Sequence, residues 1–278
     1  MKLNNLESRI KLPDGFVKEL NIDSELDYAN VSYNENIQYP PIILEYKEDN
    51  KFIRIATYGN FSALVGKQKS RKTFLVSLLM AACVKNGLVQ RFKGHTHNCI
   101  NMFFDTEQAR YDVERVNNRV LNLIGQKSQT DNFRCFSLRK YNPEERVQII
   151  EYALTKCKNP GYIVIDGVRD LVTDINDPDQ ATEITTKLMQ WTEENNCHIC
   201  VGLHLNKGQN AELRGHLGTE IQNKAESVIE VEKIKEKPEF SLVKARDFRG
   251  EIFEDFVFSI DGNYLPQICE DYTPEIEL

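Results

Sequence analysis

The sequence predicts an α/β protein in which a mainly parallel sheet is flanked by helices and ends in an antiparallel edge. Three observations lead to this fold class. Apolar runs alternate with helical segments from about residue 42, two of the helices carry clear start signals, and the last three apolar runs follow one another without a helix. Because ligands of such sheets bind at the carboxyl ends of the strands, we expect the functional site directly after the strands.

The predicted strands are apolar runs rich in β-branched and aromatic residues. They cover residues 62–65, 99–104, 162–165, 198–205, 228–232, 240–245 and 256–260. Asn142-Pro143 opens one of the intervening helices, and Asp177-Pro178 opens another. An acceptor side chain at the cap and a proline at the first helical position are typical of helix starts.

The charge balance excludes one class of function. The chain has 278 residues with 42 Asp+Glu and 35 Lys+Arg, a formal net charge of −7, so it does not bind nucleic acid through overall positive charge. Its basic side chains are grouped instead at residues 67–72, 207–214 and 244–249. With 41% hydrophobic residues the chain can bury a core, which excludes extended disorder.

Seven scattered cysteines and a polar start without an apolar leader predict a reduced, cytoplasmic protein. The longest apolar run, residues 74–84, is shorter than the roughly 20 residues of a membrane-spanning helix, so we expect a soluble chain without a membrane partner. The predicted organisation is an N-terminal arm or small cap at 1–44, the α/β core at 45–265 and an acidic tail at 266–278.

A phosphate-binding loop is predicted directly after the first strand. Residues 66–73 read GKQKSRKT, in which Gly66, Lys72 and Thr73 keep the spacing of G-x-x-x-x-G-K-[ST], and an apolar helix follows. Arg71 replaces the second glycine, so the loop can close only if Arg71 takes a permitted backbone conformation and points outward. The alternative is a basic turn before a core helix. The segment expected to contact ATP comprises Gly66, Lys67, Gln68, Lys69, Ser70, Arg71, Lys72, Thr73 and Phe74.

Two carboxylates at strand ends predict that the nucleotide is hydrolysed. Glu107 lies just beyond the second predicted strand, where it can orient and deprotonate an attacking water. The alternative is a contribution to a helix N-terminus that Asp105 caps. Asp166 ends the third strand in the Walker B pattern and is expected to hold Mg²⁺ through water, with the Thr73 hydroxyl as a further ligand.

His204 ends the strand after the Walker B strand, and we predict that it senses the γ-phosphate and relays its loss into the following loop. The alternative is a histidine with a purely structural role. Tyr111 and Tyr141 are candidates for stacking on adenine.

The motifs GKQKSRKT, FFDTEQ, YIVIDG and VGLHLNK, in this order, resemble those of the RecA-fold ATPases. The likeness is closest to the branch of RepA-type hexameric helicases and KaiC- or DnaB-like proteins found on plasmids and mobile elements. The resemblance implies a RecA-like P-loop NTPase with Lys72 and Thr73 on ATP and Mg²⁺. It also implies Glu107 as the catalytic base, Asp166 as the Walker B carboxylate and His204 as the sensor.

The same resemblance implies a homo-oligomeric ring, expected to be a hexamer, in which ATP lies between subunits and cations of the neighbour complete the site. Lys244 and Arg246 lie two apart on one predicted strand and therefore on one face, and the resemblance gives this catalytic role in trans to them. The alternative is a solvated strand face.

Two loops contact DNA in the family that the motifs resemble. Residues 172–179 are acidic here and poor ligands for phosphate, whereas residues 207–217 offer Lys207, Arg214 and His216. The first hypothesis is therefore an oligomeric ATPase motor on single-stranded DNA, helicase-like, with replication or mobilisation proteins as partners. The second is an ATP-dependent switch or assembly factor without motor activity, which Arg71 and the acidic loop favour.

Overall fold

The structure, a computed structural model, describes residues 9–11, 17–19, 21–206 and 213–269. The chain divides into two units, Met1–Tyr39 and Pro40–Leu278. In the first unit β1 (Arg9–Lys11) pairs antiparallel with β2 (Val17–Glu19), and α1 (Ile22–Ala29) begins after the cap Asn21.

The second unit alternates strands and helices. Its helices are α2 (Lys72–Lys85), α3 (Arg110–Leu123), α4 (Pro143–Lys156), α5 (Pro178–Glu194) and α6 (Gly215–Lys224), and a 3₁₀ turn lies at Val168–Leu171. Its strands are β3 (Ile42–Glu48), β4 (Lys51–Thr57), β5 (Phe61–Gly66), β6 (Leu88–Val89), β7 (Phe92–Gly94), β8 (Ile100–Asp105), β9 (Phe133–Ser137), β10 (Pro160–Asp166), β11 (His198–His204), β12 (Ser227–Lys233), β13 (Phe240–Phe248), β14 (Phe256–Ile260) and β15 (Pro266–Cys269).

The main sheet has the strand order β15-β14-β13-β12-β5-β11-β10-β8-β9. Strands β9, β8, β10, β11, β5 and β12 run parallel, and β13, β14 and β15 continue the sheet antiparallel at one edge. The predicted fold class is confirmed as a mixed α/β fold with a mostly parallel sheet, flanking helices and an antiparallel edge. Because β11 lies between β5 and β10, the ends of these three strands are neighbours.

Three parts of the fold differ from the prediction. The parallel edge strand β9 and the four-stranded sheet β4-β3-β7-β6 were not predicted. Residues 266–269, which composition assigned to the tail, form β15, because the exposed edge of β14 offers backbone partners to them. Residues 270–278 lie outside the described residues. The division between arm and core near residue 44 stays a prediction, and β3 runs across it.

The core lies on both faces of the main sheet because successive strand residues point to opposite sides. On β5, Leu64 belongs to the cluster under α2, α3 and the four-stranded sheet. Its neighbours Ala63 and Val65 belong to the cluster under α4, α5 and α6. Among the helices of the described residues, none combines the length and the apolar character that crossing a bilayer requires.

Both predicted helix starts are confirmed. Asn142 Oδ1 accepts from the Glu145 N–H, and Glu145 Oε2 accepts from the Asn142 N–H, each at 2.9 Å. Asp177 Oδ1 accepts from the backbone N–H groups of Asp179 and Gln180 at 2.9 and 3.2 Å. These caps satisfy N–H groups that a helix start leaves unpaired, and they determine where α4 and α5 begin on one face of the sheet.

Candidate active site

The carboxyl ends of four neighbouring strands bring the predicted site residues together. Strand β5 leads into residues 66–73, β8 leads to Glu107, β10 ends at Asp166 and β11 ends at His204. The parallel register aligns His204 with Gly66 on the adjacent strand. A cavity of about 520 Å³ opens at this edge.

The loop between β5 and α2 closes without the second glycine. Arg71 has the left-handed φ of 73°, and Lys69 has a φ of 62°. For a residue with a Cβ this conformation costs roughly 1–2 kcal/mol. The Arg71 guanidinium points out of the loop and donates to the Pro238 and Glu239 carbonyls at 2.9 and 2.7 Å and to Ser241 Oγ at 3.3 Å. This anchoring offsets the cost of the backbone conformation.

The interior of the loop fits a phosphate group. A Cβ on Gly66 would overlap the Val231 carbonyl and lie 2.6 Å from Ser70 Oγ, so the first glycine is required by close approach. Ser70 is buried, and its Oγ has no hydrogen-bond partner among the described residues. Because an unpaired buried hydroxyl is costly, this group suits a ligand that brings an acceptor oxygen.

Lys72 is buried in the first turn of α2 with 7% of its surface exposed. Its ammonium donates to the carbonyls of Gly66 and Lys67 at 3.0 and 3.4 Å and contacts His204 Nδ1 at 3.0 Å. Burial lowers the pKa of Lys72, and the nearby carboxylates oppose that shift. The two carbonyl acceptors of Lys72 are uncharged, so a phosphate group with its negative charge would be a stronger partner.

His204 connects Lys72 with Glu107. Because Nδ1 accepts from an ammonium, the imidazole carries its proton on Nε2, which faces Glu107 Oε1 at 3.5 Å. The hydrogen bond with His204 is the largest cause that lowers the pKa of Glu107, and the charges of Lys72 and Arg169 act in the same direction. Glu107 is therefore an ionised carboxylate at neutral pH, as a base must be.

Asp105 caps the turn that carries Glu107. Its Oδ1 accepts from the Glu107 and Gln108 N–H groups at 3.0 and 2.6 Å, and its Oδ2 accepts from the Gln108 side chain at 2.6 Å. Burial raises the pKa of Asp105 to about 6. The capping role thus falls to Asp105 and leaves the Glu107 side chain directed towards His204.

Asp166 and Thr73 form the pair predicted for Mg²⁺. Thr73 Oγ1 donates to Asp166 Oδ2 at 2.9 Å. Burial raises the pKa of Asp166, while the bond from Thr73 and the charge of Lys72 oppose the shift. Among the described residues no group of three or more His, Cys, Asp or Glu side chains could hold a metal ion. A Mg²⁺ ion fits here only with phosphate and water oxygens as its remaining ligands, which is its usual preference.

The far wall of the cavity was not predicted. The Arg119 guanidinium lies 3.9 Å from the centroid of the Phe74 ring and donates to Ser77 Oγ at 3.1 Å. The Arg115 guanidinium lies 5.5 Å from the centroid of the Tyr264 ring. Arg115 and Arg119 are four residues apart on α3 and so share one helix face, a signal that the sequence already carried.

Several predicted residues do not line this cavity. Of the loop predicted to contact ATP, residues 69–74 line it, whereas Gly66, Lys67 and Gln68 do not. Tyr111 and Tyr141 are also absent from its described lining. Lys244 and Arg246 of β13 also lie outside the lining and pair with carboxylates of β12, and Arg246 lies at an irregularity of the strand register. The distances are 3.1 Å to Glu232 for Lys244 and 2.9 Å to Glu230 for Arg246.

Two of the three residues predicted to contact DNA lie near the end of β11. Arg214 and His216 are exposed at the start of α6, and Lys207 lies outside the described residues. The Leu217 N–H donates to the Ile175 carbonyl at 3.2 Å. The two candidate loops therefore touch each other.

The sequence model of a family described as AAA domain matches residues 54–210, which is more than half of the chain. The match begins in β4 and extends beyond β11, so it includes the phosphate loop and the ends of β8, β10 and β11. No curated protein matches the chain.

Replacing Gly202 should separate Asp166 from Thr73. A Cβ on Gly202 would overlap Asp166 Oδ1, so the carboxylate must turn away. We expect Gly202→Ala to weaken Mg²⁺-dependent binding of a fluorescent ATP analogue by about 10–100-fold, with little change when EDTA is present. Gly262→Ala is the control, because a Cβ there meets nothing within 4 Å. Equal losses with and without Mg²⁺ would contradict this account.

Asp105 should make stability depend on pH. Its pKa rises from 3.8 unfolded to about 6 folded, so the folded state binds the proton more tightly and the group's contribution becomes less favourable as pH rises through that window. We expect Asp105→Asn, without nucleotide, to be more stable than wild type at neutral pH, and the difference to shrink at acidic pH. Urea unfolding across this range measures it, and a pH-independent difference is the opposing result.

Proposed function

The chain belongs to the AAA domain family of P-loop ATPases, and we propose that it is an oligomeric motor that hydrolyses ATP and acts on single-stranded DNA. In this proposal its fold is RecA-like and it belongs to the RepA-type helicase branch. The observation that carries the proposal is the contact series from Lys72 through His204 to Glu107. It joins a phosphate-binding lysine, a candidate sensor and a candidate base at one edge of the sheet. The strand order, with β11 between β5 and β10, supports a RecA-like fold.

In this proposal the chain's residues divide the work of hydrolysis. The loop N–H groups and Lys72 hold the phosphates, and the Thr73 hydroxyl and the Asp166 carboxylate are the ligands offered to Mg²⁺. Mg²⁺, when bound, neutralises phosphate charge. Glu107 orients a water molecule and accepts its proton, and a change at Lys72 reaches Glu107 because His204 contacts both.

The cavity also offers a place for the nucleobase. Arg115 and Arg119 of α3 line the cavity together with Phe74 of α2. Flat guanidinium and aromatic groups stack on π-systems, so this wall suits the base while the loop holds the phosphates. The Arg119 guanidinium, 3.9 Å from the centroid of the Phe74 ring, already makes a contact of this kind.

Completion of the site by a neighbouring subunit is part of the proposal. Lys244 and Arg246 lie outside the cavity of their own chain, and their partners Glu232 and Glu230 are on the adjacent strand of the same sheet. Lys244 is 38% exposed, so its ion pair is weak enough to be exchanged for the stronger charge of a phosphate. A homo-oligomeric ring, expected to be a hexamer, would present both cations to the adjacent ATP.

Contact with single-stranded DNA is proposed for the segment after the sensor strand. Arg214 and His216 are exposed at the N-terminus of α6, where backbone N–H groups also favour phosphate. Six copies of a weakly basic segment around one strand would bind more tightly than one copy. This explains how a chain with a net charge of −7 could bind DNA.

A second candidate function, an ATP-dependent switch or assembly factor, is favoured by the acidic loop. Asp174 Oδ1 accepts from the Asn176 N–H at 2.8 Å, and Asp177 caps α5, so these carboxylates stabilise the loop itself. The loop then contacts Leu217 through the Ile175 carbonyl. Negative charge beside the proposed DNA segment opposes binding of phosphate and suits a protein partner instead.

The motor and the switch differ in their response to DNA. For the motor we expect ATP hydrolysis to rise on addition of single-stranded DNA and strands to separate, whereas ATP-dependent rings that ignore DNA would indicate the switch. ATPase rate with and without DNA, together with native mass with and without ATP, distinguishes them.

Lys72→Ala should lose nucleotide binding in either case, and Glu107→Gln should retain binding while losing turnover. Full turnover by Glu107→Gln would refute the assignment of the base.

The trans role can be tested by mixing two inactive variants. A Lys244→Ala/Arg246→Ala chain keeps its phosphate loop, and a Lys72→Ala chain keeps its two cations. In a mixed ring, the interface at which that loop meets those cations has all of its residues. We expect each variant alone to be inactive and the mixture to recover part of the ATPase activity. A double variant that is fully active alone, or a mixture without recovery although the native mass shows mixed rings, would contradict action in trans.

A further inference from the structure

We propose that Arg146 is a positioning residue that holds the segment carrying Glu107 in its working place. The inference rests on the proposed function, in which Glu107 is the base for ATP hydrolysis. Arg146 lies on α4 and does not line the cavity of about 520 Å³ among its described side chains, so it acts through the backbone of the site.

One guanidinium joins the loops that follow three strands. Arg146 Nε donates to the Leu138 carbonyl at 3.2 Å, and Nη1 donates to the Asp170 carbonyl at 2.8 Å. Nη2 donates to the carbonyls of Thr106 and Arg139 at 3.3 and 3.2 Å. These acceptors follow β8, β9 and β10, so a single side chain ties together the edge at which the site is built.

The position of Arg146 is unfavourable unless these contacts are made. It is the fourth residue of α4, close to the positive end of the helix dipole, where a cation is disfavoured. The four main-chain carbonyl oxygens carry negative partial charge, and their contacts with the guanidinium offset the unfavourable effect of the helix dipole. Lysine cannot replace this arrangement, because only the planar guanidinium offers five N–H donors in a fixed fork.

The contact with Thr106 is the one that reaches the base, because Thr106 directly precedes Glu107. Thr106 is 1% exposed, and its N–H donates to the Asp166 carbonyl at 3.2 Å. Its hydroxyl lies 3.0 Å from the Gly167 carbonyl and 2.9 Å from Asp170 Oδ2. Arg146 and the Thr106 hydroxyl therefore fix the same residue from two sides.

The position of the Thr106 backbone determines whether Glu107 stays in contact with His204. At 3.5 Å this contact is at the outer limit of a hydrogen bond, so a small shift of the Thr106 backbone would break it. Losing it would remove the largest cause of the low pKa of Glu107 and misplace the carboxylate relative to the attacking water.

Arg146→Lys tests the proposal in the full-length chain, with Arg134→Lys as the matched control. Arg134 also donates to carbonyls of its neighbourhood, at Thr130 and Phe133, but at the opposite end of β9. We expect Arg146→Lys to lower kcat by about 10–100-fold while KM and the affinity for a non-hydrolysable ATP analogue stay unchanged. The acidic limb of the pH profile of kcat should also move to higher pH, because the contact with His204 is the largest cause that lowers the pKa of Glu107. The charges of Lys72 and Arg169 still lower that pKa, whereas burial and the Asp166 carboxylate oppose them.

Thr106→Val provides a second variant if Arg146→Lys does not fold, as judged by circular dichroism. It removes the hydroxyl that holds the same segment and should reproduce the loss of kcat. Kinetics of either folded variant equal to those of Arg134→Lys, or a raised KM with an unchanged kcat, would overturn the positioning role while leaving ATP hydrolysis intact. Absence of ATPase activity in the wild type would overturn the proposed function itself and the inference with it.

Discussion

The buried ammonium of Lys72 is the constraint on which the rest of the site depends. A cation with 7% exposure must have acceptors, and it finds them at the Gly66 and Lys67 carbonyls and at His204 Nδ1. The histidine is available only because β11 lies directly beside β5 and aligns His204 with Gly66. Its tautomer then directs Nε2–H towards Glu107, so one buried charge relates the loop, the strand order and the proposed base.

Arg71 connects this loop with the edge of the sheet. Two left-handed residues with side chains make the loop costly, and the bonds from the Arg71 guanidinium to the turn between β12 and β13 act against this cost. That turn joins the strand that carries Lys244 and Arg246 to the strand that carries their carboxylate partners. Arg71, which stands at the position of the second glycine of the motif, therefore connects the phosphate loop to the hairpin of β12 and β13 that is proposed to reach a neighbouring subunit.

The parts of the fold that could be predicted from the sequence are those with local signals. Strand β14 and the caps at Asn142 and Asp177 match the prediction because hydrophobic periodicity and helix capping depend on residues that are close together in the sequence. Strands β7 and β9 are short segments whose pairing depends on distant partners. The hairpin of β3 and β4 is local, and the turn at Asp49 and Asn50 was a signal that the prediction missed. The four contacts of Arg146 involve main-chain carbonyls, which every residue has, so no residue pattern could reveal them.

Both proposed functions require that binding or hydrolysis of nucleotide changes the protein surface. A short series of contacts leads from the phosphate loop to α6. The residue after His204, Leu205, donates its N–H to the Gly66 carbonyl at 3.2 Å, and that oxygen also accepts from Lys72. Leu205 in turn pairs with Leu213, which directly precedes the exposed start of α6. In the proposed function Lys72 exchanges these acceptors for phosphate when ATP binds, and the contacts at His204 and Gly66 then change together. The two changes act on neighbouring residues of one strand end, so displacement of Leu205 would be transmitted through Leu213 to α6, whatever partner α6 contacts.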